Sequence, residues 1–99
     1  MKSTHSSRND FAAGLKKVRN AQGLSQEDFG LVSSRTYVSS LERGLKSPTL
    51  NKVDDLAATL DVHPLTLLVM SYVGRSTPTA VAGLLDEVLA EVQSVVSKG

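Results

Sequence analysis

The sequence lacks several residue types, and each absence excludes a kind of structure or site. It contains no cysteine and no tryptophan among its 99 residues, so it can form neither a disulfide nor a thiolate metal site. Because it has only two Phe and two Tyr, its core must be built mainly from leucine and valine. The two histidines, His5 and His63, are far apart and have no partner at metal-ligand spacing. We expect no metal centre and no cofactor.

Catalytic constellations are also missing. Serines are numerous, but no histidine or lysine is placed to activate one as a nucleophile. Asp54 and Asp55 are adjacent, and neighbouring helical residues point in different directions. No glycine-rich phosphate loop occurs. We therefore predict that the protein is not an enzyme.

Long apolar runs are absent as well. Residues 1–10 are polar and have no apolar signal-peptide core. The most apolar run, residues 62–73, is shorter than the roughly 20 residues that span a bilayer. Together with the lack of cysteine, this predicts a cytoplasmic protein without a membrane partner.

The formal net charge of +1 hides an uneven distribution. Residues 1–52 contain nine Lys or Arg against four Asp or Glu, a balance of +5, whereas residues 53–99 contain two against six, a balance of −4. A basic front half is typical of proteins that bind a polyanion. Ordinary solvated charge is the alternative.

The stretch Leu24–Gly44 is the most informative part of the chain. When residues 34–43 are placed on a helix at about 100° per residue, Tyr37, Val38 and Leu41 fall within one apolar arc. The opposite arc contains two arginines and three hydroxyl side chains, namely Arg35, Thr36, Ser39, Ser40 and Arg43. Such a face suits a partner with negative charge and hydrogen-bonding groove edges, and duplex DNA has both.

Capping and terminating residues in this stretch predict two short helices. Ser25 can cap a helix that starts at Gln26, with Asp28 in the capping-box position, and this helix can bury Phe29 and Val32. Ser34 can cap the next helix, which Gly44 ends by adopting a left-handed backbone. Two short helices joined by a tight turn form a helix-turn-helix.

Three motifs, LSQEDF, RTYVSSLERG and SPTL at residues 47–50, resemble the Cro/C1-type (XRE-like, lambda-repressor-like) helix-turn-helix family, and most of all the controller proteins of restriction–modification systems. The resemblance covers roughly residues 11–72. It implies a structural ion pair between Arg19 and Glu42. From Ser25 to Glu42 this chain is two residues shorter than the family pattern. We therefore expect the second helix or its turn to be trimmed around residues 30–33.

Similar patterns predict the rest of the fold. We expect an all-α, five-helix, lambda-repressor-like DNA-binding domain over residues 10–73, preceded by a flexible arm at residues 1–9. Residues 10–22 read as the first helix, Thr49 caps a helix over residues 50–60, and Pro64 lies in the first turn of the fifth. Residues 74–77 form a linker, and Thr77 with Pro78 predicts an additional C-terminal amphipathic helix over residues 78–97.

The C-terminal helix carries a broad apolar stripe that has to be buried somewhere. Folding back on the fifth helix is one solution, and pairing with the same helix of a second subunit is the other. Since the five-helix core is complete without it, we favour pairing. The candidate dimer residues are Val81, Leu84, Leu85, Val88, Leu89, Val92 and Val95, with Val96 at the end of the stripe.

Roles in DNA binding follow from residue type and position. Arg35 is the best candidate for a base contact, because arginine paired with guanine is the commonest specific contact. Thr36, Ser39 and Ser40 are secondary base candidates. The phosphate candidates are Gln26, Ser34, Tyr37, Arg43, Lys46 and Ser47, although the ring of Tyr37 also lies on the apolar arc.

These observations predict a sequence-specific regulator that binds double-stranded DNA as a homodimer on an inverted-repeat operator, with residues 34–43 in the major groove. One alternative is an antitoxin-type protein whose C-terminal helix binds a toxin. Another is a helical adaptor that reads no sequence. Activation would need a patch for RNA polymerase, for which Asp54-Asp55 and Glu27-Asp28 are candidates.

Overall fold

The computed structural model describes residues 8–30 and 33–99, and within these ranges all regular structure is helical. The predicted all-α class is confirmed. A 3₁₀ turn (Gln26–Phe29) lies between the first and second of the α-helices. These are α1 (Phe11–Ala21), α2 (Arg35–Glu42), α3 (Leu50–Leu60), α4 (Pro64–Tyr72) and α5 (Pro78–Lys98).

Side-chain caps start the helices where the sequence predicts them. Ser34, Thr49 and Thr77 each accept a hydrogen bond from the backbone N–H three residues later, over 3.0 to 3.2 Å. Pro64 and Pro78 occupy the first turn of α4 and α5, where a backbone N–H would have no partner. Local chemistry therefore fixes where α2, α3, α4 and α5 begin.

The second helix of the predicted helix-turn-helix is a single 3₁₀ turn. It begins as expected, because the backbone N–H of Ser25 donates to the Asp28 carboxylate at 2.7 Å. A 3₁₀ turn rises about 2.0 Å per residue against about 1.5 Å in an α-helix. Four residues of 3₁₀ helix can thus span the length of about five residues of α-helix. Leu31 and Val32, with the predicted burial of Val32, lie outside the described residues.

The core consists of leucine, valine and phenylalanine, as the composition predicts. Phe29 of the 3₁₀ turn and Val38 and Leu41 of α2 have no exposed surface. Burying one such side chain stabilises the fold by about 1.5–3 kcal/mol, so these three hold α2 with its apolar side inward. They pack in one cluster with Phe11, Leu15, Val18, Val53, Leu56, Leu60 and Leu67.

Close packing of α1 on α4 supports this arrangement. A Cβ atom on Gly14 would lie 2.7 Å from the Ser71 hydroxyl oxygen and 2.9 Å from the Ser71 backbone nitrogen, so only glycine fits without a shift. The Asp10 backbone N–H donates to the Ser71 carbonyl at 2.6 Å. The buried Ser71 hydroxyl donates to the Leu67 carbonyl at 2.8 Å. The two helices are thereby fixed at short range.

The apolar stripe of α5 is not covered within the single chain. Helix α5 touches α4, but no residue of α5 is buried. Six of its apolar side chains are 43–72% exposed, namely Leu85, Val88, Leu89, Val92, Val95 and Val96. None of the described helices combines the length and apolar character needed to cross a membrane. The described chain thus buries its core without α5 and leaves one long apolar surface open.

Candidate nucleic-acid interface

The outer face of α2 is polar and open to solvent. Arg35, Thr36 and Arg43 are exposed, and Ser39 is partly exposed. The face is presented outward because the opposite side of α2 is held in the core. Gly44 ends the helix with φ +74°, a left-handed conformation that glycine adopts without strain.

The same face borders an open depression of about 300 Å³ between the 3₁₀ turn and α2. All of its lining side chains are predicted DNA contacts: Gln26, Arg35, Thr36, Ser39 and Arg43. Three were predicted to contact bases and two to contact phosphates. The fold therefore gathers candidates from two separate elements into one concave, polar surface.

Ser40 departs from the predicted set of base contacts. Only 8% of this residue is exposed, so it does not present its side chain to a groove. On the helical wheel Ser40 lies at the border of the polar arc. Beyond Gly44 the chain turns back toward it, and the Leu45 backbone N–H donates to the Ser40 carbonyl at 2.9 Å. We therefore leave Ser40 out of the interface.

A hydrogen-bonded network fixes the 3₁₀ turn against α1 and α2. Arg19 donates to both carboxylate oxygens of Glu42, from Nε at 2.6 Å and from Nη2 at 2.9 Å. Gln26 Nε2 donates to Glu42 Oε1 at 3.0 Å, and Arg19 Nη1 donates to the Leu24 carbonyl at 2.9 Å. The Glu42 side chain is 4% exposed and that of Arg19 is 12% exposed. Gln26 is thus held at the edge of the depression by a buried ion pair.

This network changes the ionisation of both partners. Burial acts to raise the pKa of the Glu42 carboxyl, but hydrogen bonds from Arg19 and Gln26, together with the charges of Arg19 and Lys16, outweigh it, and the pKa lies below its usual value. The hydrogen bond to Glu42 raises the pKa of Arg19, and burial opposes it. Both groups are therefore charged at neutral pH.

A cluster of positive charge lies beside α2, around the ring of Tyr37. The ammonium groups of Lys46 and Lys52 stand 5.8 Å and 5.6 Å from the centroid of this partly buried ring. Such distances allow cation–π attraction. Ser47 and Ser34, two further phosphate candidates, are also exposed. The ring of Tyr37 therefore has two cations beside it.

Lys52 is a candidate that the sequence reasoning missed. It lies near the start of α3, 15 residues after Tyr37 in the chain, so no helical pattern joins the two. The signal available in the sequence was charge, because Lys52 closes the basic front half of the chain. Only the folded chain brings its ammonium group to 5.6 Å from the centroid of the Tyr37 ring.

A short 3₁₀ turn followed by a helix that presents arginines and hydroxyls from a closed helical core defines a helix-turn-helix protein. The chain belongs to the helix-turn-helix family, whose sequence model matches residues 15–67. The resemblance to Cro/C1-type proteins is confirmed, and so is the lambda-repressor-like fold.

Two solved structures show which members it resembles. The restriction–modification controller protein C.AhdI from Aeromonas hydrophila is 37% identical, with a TM-score of 0.55, over 58% of this chain and 86% of that one. The hypothetical transcription factor NHTF from Neisseria is 30% identical, with a TM-score of 0.56, over 69% of this chain and 80% of that one. No curated protein sequence matches the chain.

Proposed function

We propose that this protein is a transcriptional regulator that binds double-stranded DNA sequence-specifically, as a dimer, with α2 in the major groove. The observation that carries the proposal is the open polar depression between the 3₁₀ turn and α2. It is lined by two arginines, two hydroxyl residues and one glutamine, which are side chains that contact base edges and phosphates. Similarity to a controller protein and a transcription factor supports the same function.

In this proposal the contacts divide by position. Arg35, at the first turn of α2, donates to guanine O6 and N7, with Thr36 and Ser39 beside it. The phosphate contacts come from Gln26, Ser34, Tyr37, Arg43, Lys46, Ser47 and the newly recognised Lys52. Phosphate contacts set affinity and orientation, whereas base contacts set the preferred sequence.

A dimer is favoured because one recognition helix reads only a few base pairs and because the apolar stripe of α5 is exposed in the single chain. Val81, Leu85, Val88, Val92 and Val95 recur at alternating spacings of four and three residues, the pattern of a coiled-coil seam. Leu84, Leu89 and Val96 widen that seam. Helix α5 has 21 residues, a length of about 31 Å at 1.5 Å per residue. Its pairing with α5 of a second copy would cover the exposed stripe.

Selection of bound sites from random duplex DNA by the purified protein tests the proposal directly. We expect an inverted repeat, because a two-fold dimer reads two half-sites about 34 Å apart or a multiple of this distance. Binding to random DNA with no enriched sequence would contradict a sequence-reading function. That result would instead favour the alternative of a helical adaptor that does not recognise a DNA sequence.

Arg35→Ala tests the base contact. We expect it to weaken binding to the selected site by about 1–3 kcal/mol and to relax preference at one base position, because a bidentate pair is lost. Fluorescence anisotropy on the selected site and its single-base variants measures both effects. Arg75→Ala is the matched control, since it removes one exposed arginine from the connection between α4 and α5. Unchanged base preference in Arg35→Ala would exclude Arg35 as the reading residue.

Lys52→Ala and Lys46→Ala test the cluster around Tyr37. Each is expected to weaken binding to all DNA sequences alike and to reduce the slope of log affinity against log salt concentration by about 1, because one phosphate contact is lost. Titrations at four or more salt concentrations measure the slope. Lys98→Ala, at the far end of α5, should leave the slope unchanged. If Lys52→Ala behaves like that control, Lys52 lies outside the interface.

A further inference from the structure

An acidic side chain stands at the edge of the proposed DNA-reading face. Glu27 Oε2 lies 4.0 Å from Arg35 Nε, so the pair joins the 3₁₀ turn to the first residue of α2. The Arg35 side chain is 69% exposed and that of Glu27 is 74% exposed. An ion pair so open to solvent contributes little to folding stability. This contact with Arg35 therefore does not by itself explain the position of Glu27.

The neighbouring carboxylates have structural partners. Glu42 is buried in its ion pair with Arg19, and Asp28 accepts the backbone N–H of Ser25. Glu27 instead directs its charge to the outer surface. A carboxylate there repels DNA phosphates and weakens binding to every sequence equally.

The geometry of the guanidinium group suggests a gain that offsets this cost. Arginine donates through a planar fork, so it can bind guanine through its two terminal nitrogens while another group accepts from Nε. Glu27 lies on the Nε side of Arg35. When DNA excludes water from the pair, a carboxylate on that side would accept from Nε and leave the terminal nitrogens to the groove. It also offsets the charge that would otherwise draw Arg35 to a phosphate.

We infer that Glu27 is a positioning residue that determines specificity: its carboxylate directs Arg35 to a guanine base and keeps it from phosphates. The inference rests on the proposed function. It adds to that function a residue whose removal strengthens DNA binding and weakens discrimination. A residue that served only folding would have neither effect.

Glu27→Gln in the full-length protein tests the inference. We expect binding to random duplex DNA to tighten about fivefold, because a repelling charge is removed and Arg35 is released to phosphates. The corresponding salt slope should steepen by about 0.9. Discrimination between the selected site and the same site with its Arg35-contacted guanine replaced should fall several-fold. Anisotropy titrations on the three DNAs at several salt concentrations give all three quantities.

Two variants separate positioning from charge. Glu27→Asp keeps the charge but shortens the side chain, so it should leave random-DNA affinity unchanged and still lose discrimination. Asp86→Asn removes an exposed acid from α5 and should change neither quantity.

If Glu27→Gln tightens binding to all three DNAs by the same factor, Glu27 acts by repulsion alone and the inference is wrong. An unchanged discrimination ratio in Glu27→Asp would also overturn it. If the wild-type protein selects no sequence at all, the proposed function is wrong, and this inference, which depends on it, is wrong as well.

Discussion

Replacing Glu42 with alanine is expected to lower the free energy of unfolding by about 3 kcal/mol, because Arg19 would remain charged and largely buried without its partner. Its side chain is 12% exposed and donates twice to Glu42. Gln26 would lose its acceptor as well. Urea denaturation followed by circular dichroism measures the change, which is a large fraction of the stability of a small domain.

Two comparisons identify the unpaired charge as the cause. Asp86→Ala, on the exposed surface of α5, should change the free energy of unfolding by less than about 0.5 kcal/mol. The double variant Arg19→Met with Glu42→Leu should recover most of the loss, since replacing both members of a buried ion pair by apolar residues is often neutral. A double variant as unstable as Glu42→Ala would show that the loss has another origin.

The stability that Glu42 contributes should depend on pH, and the variant Glu42→Gln tests the direction of this dependence. Because the pKa of Glu42 is lowered in the folded protein, the unfolded chain binds more protons than the folded one in mildly acidic solution. The stability contributed by Glu42 is therefore fully present above its unfolded pKa of about 4.3. It is lost as pH falls through the folded pKa. The stability difference between the wild-type protein and Glu42→Gln should shrink on acidification.

The sequence predicts helix starts well because a cap is local. Ser34, Thr49 and Thr77 each lie three residues from the N–H group that they accept, so a short window contains all the chemistry. The geometry and the ends of the elements depend also on contacts between distant parts of the chain. Ser25 and Asp28 indicate where the second element begins, but they do not distinguish an α-helix from the 3₁₀ turn that the structure contains.

The site residues divide in the same way. A helical wheel separates Arg35, Thr36 and Ser39 from Val38 because helical periodicity is intrinsic to the chain. It cannot settle Ser40, which lies at the border of the two arcs and is only 8% exposed in the folded chain. The helical wheel cannot predict Lys52 either, because only the folded chain brings it to Tyr37.

Replacing Val92 with aspartate is expected to abolish the proposed dimer, because it places a carboxylate in the middle of the α5 stripe. Val92 is 51% exposed in the single chain, so the substitution leaves the fold of the monomer intact. A charge buried in an apolar helix pair without a partner is strongly unfavourable. Sedimentation equilibrium should give the 10.5 kDa mass of one chain for Val92→Asp and twice that mass for the wild-type protein.

The loss of the dimer has a separate consequence for DNA binding. Two linked reading helices bind an inverted repeat far more tightly than either alone, so Val92→Asp should lose about 100-fold or more in affinity for the full site. Its affinity for an isolated half-site should stay at the wild-type value, because α2 is unchanged. Gln93→Asp is the matched control, since it adds the same charge one residue away, outside the 81/85/88/92/95 seam.

A wild-type protein that stays at the mass of one chain at high concentration, or a Val92→Asp variant that still dimerises, would show that α5 covers its stripe in another way. The antitoxin-type alternative would then gain, since the exposed helix would need a different protein as its partner.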